Sequence, residues 1–204
     1  MDRADRIEPT FYRCKSLTAP VVRLNSCKIN VEKSMITKTM EEALNGQINK
    51  EFYSAYLYLS MSAYCNRLAL PGAEHWFRMQ YDEEVIHMTK MFDYVMQHGG
   101  NAKLLQIDEP PHDFGTILEA FEASLEHERF ITKSINELLD VAVDEKDHAT
   151  QVFLQWYITE QVEEEANVDE IVQRLKLAGD NGSALMMFDD KLSLRQPPAA
   201  PAAE

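Results

Sequence analysis

Glycine and proline are scarce in this chain, with 7 and 8 among 204 residues. These are the residues that interrupt regular backbone. Pro110-Pro111 form one pair and most of the other prolines lie toward the two ends, so long uninterrupted stretches are left for helix. Cysteine is sparse too: Cys14, Cys27 and Cys65 show no CxxC spacing and leave an odd count. That argues against a disulfide framework and against a zinc ribbon or rubredoxin-type site, and suits a reducing, cytoplasmic setting. No apolar run approaches the ~20 residues that cross a bilayer, so no membrane partner is expected. Basic charge is short: 20 Lys and Arg face 34 Asp and Glu, for a net charge of −14. Such a surface repels phosphate backbones and argues against a nucleic-acid partner, but it suits cations. A hydrophobic content of 45% provides for one domain with a real core.

Residues 1–34 differ from the rest, carrying seven Lys and Arg, four Asp and Glu and no sustained period. They are expected to form a disordered N-terminal extension, with residues 35–195 as the folded body and 196–204 (QPPAAPAAE) as a flexible tail. In the body the apolar period predicts a first helix from about Thr37 or Thr39 to Asn66, where Thr39 and Glu42 resemble a capping box. Pro71-Gly72 then opens a second helix running to about His98, closed by Gly99-Gly100. Residues 99–115 lack a helical period. A third helix follows over about Thr116–Ala142. A turn at Asp144–Asp147 leads into a fourth, ending near Ala178, and Ser183–Leu194 reads as a short fifth, amphipathic helix. The fold class is therefore all-α: a four-helix bundle with a long crossover between the second and third helices, and a short C-terminal helix. The apolar face of that last helix is expected to be covered by a neighbouring chain.

Each long helix has an apolar seam at alternating steps of three and four. Leu44, Ile48, Glu51, Ala55, Tyr58, Ser62 and Cys65 form the first, and Phe77, Gln80, Glu84, His87, Met91 and Tyr94 the second. Phe121, Leu125, Glu128, Thr132, Ile135, Leu139 and Ala142 form the third. Phe153, Tyr157, Glu160, Glu164, Asn167, Ile171, Leu175 and Ala178 form the fourth. Every seam holds a carboxylate near mid-helix: Glu51, Glu84, Glu128, and Glu160 or Glu164. Mid-helix groups lie at one depth whichever way the helices run, so they should converge. A single glutamate on a seam is commonly a boundary residue reaching for solvent. Four at one depth in an apolar core would be strongly unfavourable unless multivalent cations removed both desolvation and repulsion. Glu84 and His87, one turn apart, add a nitrogen, and hard oxygens with imidazole suit iron or manganese. Tyr58 reads either as core or as an electron donor and hydrogen-bond partner beside the metals. Trp156 reads as core. His75, His98, His112, His127 and His148 fall off the seams and read as surface.

Over about Met35–Leu194 the chain resembles the ferritins, in particular the bacterial non-haem type. The resemblance rests on LNGQINKEFYSAYLYLSM around Glu51, YDEEVIHM around Glu84 and His87, FLQWYITEQVEEE around Glu160–Glu164, and the GDNG turn before the fifth helix. It implies a first iron site at Glu51, Glu84 and His87, with Glu84 bridging to a second at Glu128 and Glu164, beside Gln161. It also implies an adjoining third site from Glu83, Glu160, Glu163 and Glu164, and a site tyrosine at Tyr58. Fe(II) oxidation by O2 or H2O2, ferric mineral storage and a homo-oligomeric 24-subunit shell follow from the same resemblance. Where a bacterioferritin would carry a second Glu-x-x-His this chain has Gln161-x-x-Glu164, and Val85 replaces the haem-ligating methionine, so haem is not expected. Three rival readings carry different expectations. A di-iron or di-manganese oxidase would need a cavity for another substrate, a DNA-coating miniferritin would use the basic N-terminal stretch, and a purely structural bundle would take up no iron.

Overall fold

The computed structural model describes residues 34–198, and the expectations for residues 1–33 and 199–204 lie outside it. Its elements are five helices: α1 (Lys38–Arg67), α2 (Pro71–Gln97), α3 (Ile117–Asp144), α4 (His148–Ala178) and α5 (Gly182–Leu192). Local chemistry sets their ends. Thr37, in extended backbone, turns its hydroxyl back to accept from Met40 N at 3.1 Å, so Thr37 caps α1 and Thr39 lies inside the first turn. The expected box of Thr39 with Glu42 is thus corrected. A full capping box occurs instead at α3, where Glu119 N donates to Thr116 Oγ1 and Thr116 N donates back to Glu119 Oε2 at 2.6 Å. Pro71 opens α2, and Gly99, at φ 73°, lets the chain leave it.

Two apolar clusters show how the helices run. One joins the N-terminal part of α1 (Met40, Leu44) to the C-terminal parts of α2 (Met91, Val95) and α3 (Ile135, Ala142) and the start of α4 (Leu154). The other joins the end of α1 (Met61, Cys65), the starts of α2 (Trp76, Phe77) and α3 (Phe121), and the end of α4 (Val172, Leu175). Hence α1 and α2 are antiparallel, as are α3 and α4, while α2 and α3 run the same way. Residues 98–116 make the crossover this requires. The crossover lies along α1, where Asn45 Nδ2 donates to Asn101 O at 3.0 Å and Ser60 Oγ to Pro111 O at 2.5 Å.

The seams of α1 and α2 are buried as expected, but those of α3 and α4 only in part. Thr132 and Leu139 are half-buried while Ser124, Ile131, Ser134 and Leu138 are buried; Asn167 is exposed while Leu154, Gln161, Val168 and Val172 are buried. A single 3-4 seam is narrower than the stripe a helix presents when it packs against two neighbours. The fifth helix needs a further correction. Leu192 is buried and Leu185 and Phe188 are half-buried against the chain's own core, so that face is covered in part from within; Met186 and Met187 stay exposed. Asp189 fixes α5 in place by accepting from Gly72 N at 2.9 Å and Ala73 N at 2.8 Å, free donors at the start of α2. A Cβ on Gly72 would stand 1.7 Å from Asp189 O, so only glycine permits this approach.

Candidate metal centre

Between the two apolar clusters lies a polar layer. Glu51 of α1, Glu84 and His87 of α2, Glu128 of α3, and Gln161 and Glu164 of α4 are each at most 3% exposed. One ligand atom each of Glu51, Glu84 and His87 lie within 4.8 Å of one another. A second such group joins Glu83, His87 and Glu160 at the half-buried edge of the layer. Glu163 is exposed and lies in neither group.

Most of these carboxylates are held through one or both oxygens. Gln47 Nε2 donates to Glu51 Oε1 at 2.8 Å; Gln47 Oε1 in turn accepts from Ser134 Oγ at 2.5 Å, and Lys50 Nζ donates to that same hydroxyl. Gln80 Nε2 donates to Glu164 Oε2 at 2.7 Å, and Gln80 Oε1 accepts from Arg195 Nη1 at 2.6 Å. Glu128 accepts from Tyr58 Oη on one oxygen and from Gln161 Nε2, at 3.3 Å, on the other. Against this, Glu51 Oε2 and Glu84 Oε2 are buried with no hydrogen-bond partner. The nearest cationic candidate, His87 Nδ1, stands 3.6 Å from Glu84 Oε2, too far for a hydrogen bond.

Burial dominates the electrostatics. Desolvation, then the charges of Glu128, Glu51 and Glu164, raise the Glu84 carboxyl well above the usual range. Desolvation pushes Glu128 up to about 7 despite the donors Tyr58 and Gln161, and Glu164 up to about 8 with help from Glu128 and Glu83. Tyr58 is raised for the same reason, burial first and then Glu128 and Glu84, and it remains a neutral donor at neutral pH. Acids crowded into an apolar layer with two unpartnered oxygens form a poor hydrophobic core. They form a good receptor for hard multivalent cations, which satisfy the free lone pairs and remove the repulsion together.

His87 is oriented by its surroundings. Trp156 meets its ring edge-on at 5.3 Å between centroids, and Tyr157, which donates to His87 O at 2.8 Å, lies at 6.1 Å. Trp156 is half-buried, with Lys90 Nζ over its ring at 4.7 Å. Of the histidines that read as surface, His112 and His148 are exposed, while His75 and His98 are half-buried. His127 is also half-buried: its Nε2 lies 2.8 Å from Ser54 Oγ, its ring meets Tyr58 at 6.0 Å, and burial pushes its pKa down to about 4. It precedes Glu128 and faces α1 beside the seam, so a single-seam reading misses it. Gln47, Gln80 and Arg195 were also unassigned. Gln80 carried a signal, as an amide on an otherwise apolar seam, whereas Arg195 follows α5 and belongs to no period.

The model of the ferritin-like domain matches residues 41–178. A bacterial non-heme ferritin of Bacteroides fragilis is 45% identical over 161 residues, covering 79% of this chain and 100% of that protein. One of Staphylococcus aureus is 37% identical, covering 79% of this chain and 97% of that protein. Among solved structures, an open pore ferritin of the archaeon Archaeoglobus fulgidus is similar at 52% identity and a TM-score of 0.78, over 79% of this chain and 99% of that one. With its helices in the ferritin arrangement and its carboxylates gathered in one buried layer, the chain belongs to the ferritin family.

Proposed function

We propose that this chain is an iron-storing ferroxidase. The observation that carries the reading is the pair of unpartnered buried oxygens, Glu51 Oε2 and Glu84 Oε2, beside His87 in a ferritin-family bundle. Glu51, Glu84 and His87 bind one Fe(II), and Glu128 and Glu164 with Gln161 bind a second, Glu84 lying between. Glu83 and Glu160, with Glu163 at the exposed edge, take a third ion on its way to storage. Anionic oxygens stabilise Fe(III) over Fe(II), which favours loss of an electron from each bound ion. Two Fe(II) supply two electrons: O2 then takes two protons and becomes H2O2, or H2O2 takes two protons and becomes two waters. Tyr58, bonded to Glu128, stands ready as a further electron donor. The ferric product passes into the space enclosed by a homo-oligomeric 24-subunit shell, which we place in the cytoplasm.

Anaerobic Fe(II) titration of the metal-free protein followed by air tests the reading. Saturation at two or three Fe(II) per chain, rapid oxidation and elution as a large particle retaining iron is the expected result. Two ions bound by a small oligomer that stores nothing would favour an oxidase of another substrate, and no binding would refute the metal reading.

A further inference from the structure

Arg195, just beyond α5, reaches back to the edge of the metal layer. Its Nη1 donates to Gln80 Oε1 at 2.6 Å and its Nη2 to Glu83 Oε2 at 2.5 Å. Gln80 and Glu83 lie one turn apart on α2, so the two-pronged guanidinium spans them as a fork. The arm is held elsewhere as well. The guanidinium lies 4.4 Å over the Trp76 ring, and the Arg195 carbonyl lies 2.9 Å from His75 Nε2. Both partners of the Arg195–Glu83 ion pair are about one-fifth exposed, so water screens it only in part.

Glu83 is also one of the three groups, with His87 and Glu160, whose ligand atoms cluster at the half-buried edge. A carboxylate oxygen engaged by a guanidinium has less electron density and less room to offer a metal ion. Taking the third site of the proposed function as its premise, we propose that Arg195 is a built-in competitor for that site. Its guanidinium holds Glu83 when the edge is empty, and a cation arriving between Glu83 and Glu160 must displace it. The competition is selective. Glu51 and Glu84 belong to the other group, His87 is common to both, and Arg195 reaches the inner layer through Gln80, which holds Glu164 by its amide nitrogen. Arg195 therefore weakens the edge site relative to the inner pair, so ions fill the buried centre first and leave the edge readily. Displacing it also removes the side-chain hold of the segment after α5 on α2, leaving the Arg195 carbonyl beside His75 Nε2 as the remaining contact there.

The test uses Zn(II), which cannot be oxidised and so reports binding alone, titrated calorimetrically into the assembled, metal-stripped protein. Arg195→Gln should tighten the weakest Zn(II) site about fivefold, the scale of a partly screened ion pair. The two tighter sites should change less than twofold. Arg195→Lys, which keeps the charge but loses the fork across Gln80 and Glu83, should fall between Arg195→Gln and the unsubstituted protein. Glu83→Gln should abolish the weak site in either background. An unchanged or weaker third site in Arg195→Gln, in a variant that elutes at the original size, overturns the competitor. If the unsubstituted protein takes up only two Zn(II) and Arg195→Gln takes up three, Arg195 blocks the edge outright and the proposal stands. If both take up only two, the third-site reading itself fails and the proposal falls with it.

Discussion

Glu84→Gln separates what the buried acids do for the fold from what they do for the metal. The side chain is 1% exposed, one oxygen has no hydrogen-bond partner, and its carboxyl is driven well above the ordinary 4.5 by burial and by three neighbouring glutamates. At neutral pH the metal-free fold must therefore either hold an unfavourable charge or bind a proton that the unfolded chain would release. Protonating an ordinary carboxyl at pH 7 costs about 3.4 kcal/mol, which caps the penalty, because the protein takes the less costly option. An amide of the same shape needs neither, and its nitrogen can donate to the acids around it. The metal-free variant should thus be more stable by about 2 to 3 kcal/mol at pH 7, roughly 5 to 10 °C in apparent Tm for a chain of this size. The gain should shrink to about 0.4 kcal/mol near pH 4.5, where the unfolded carboxyl is already half protonated, and vanish below it. With saturating Zn(II) the order should reverse, since Glu84 lies in the first ligand group and its loss weakens binding to the native state. Scanning calorimetry of chelated and Zn(II)-loaded protein at both pH values reads all four quantities. A metal-free variant that melts lower at pH 7, or equal stabilisation of both proteins by Zn(II), would refute the reasoning.

Glu128 and Glu164 titrate in the fold at about 7 and about 8, against 4.5 for an unperturbed carboxyl. Their folded values are raised, so their contribution to stability is fully present below pH 4.5 and is lost as pH rises through about 7 and about 8. The urea midpoint of the chelated protein should accordingly fall from about pH 5 to about pH 8, and stability rising over that range would contradict the assignment. Asp189→Ala removes the acceptor for two free N–H groups at the start of α2 and should loosen α5 by about 2 kcal/mol. Hydrogen exchange should quicken across Gly182–Leu192 while the middle of α1 stays protected; unchanged exchange in α5 would show that its apolar face alone holds it.

The bundle was legible because periodicity and punctuation agreed. Proline and glycine mark the ends of α2, and a glutamate interrupts each apolar seam. Glu51, Glu84, His87 and Glu128 could be placed in the core from spacing alone. Spacing left Glu160 and Glu164 open, because both fall on one plausible seam. Packing decides between them, burying Glu164 with Gln80 and leaving Glu160 half-exposed. Gln161 lies beside the apolar seam of α4, so only the resemblance points to it. What stayed hidden depends on contacts across the fold. His127 is half-buried against residues of α1, and Arg195 is placed by α5 and Asp189, neither of which leaves a local signature.

The pairing of the helices bears on how the centre comes into being. α1 packs chiefly on α2, and α3 on α4, so the bundle is two helical hairpins joined by residues 98–116. One hairpin carries Glu51, Glu84 and His87, and the other carries Glu128, Gln161 and Glu164. Hairpins rely on near-neighbour contacts and form early, whereas bringing the two together requires closing the long crossover. Until then each set of acids faces water and ionises as ordinary carboxylates do. Charge is forced together only at docking, so that step must take up protons or capture cations. On the proposed function, a metal ion held between the halves would clamp the last-formed interface, and iron supply would then favour completion of the bundle.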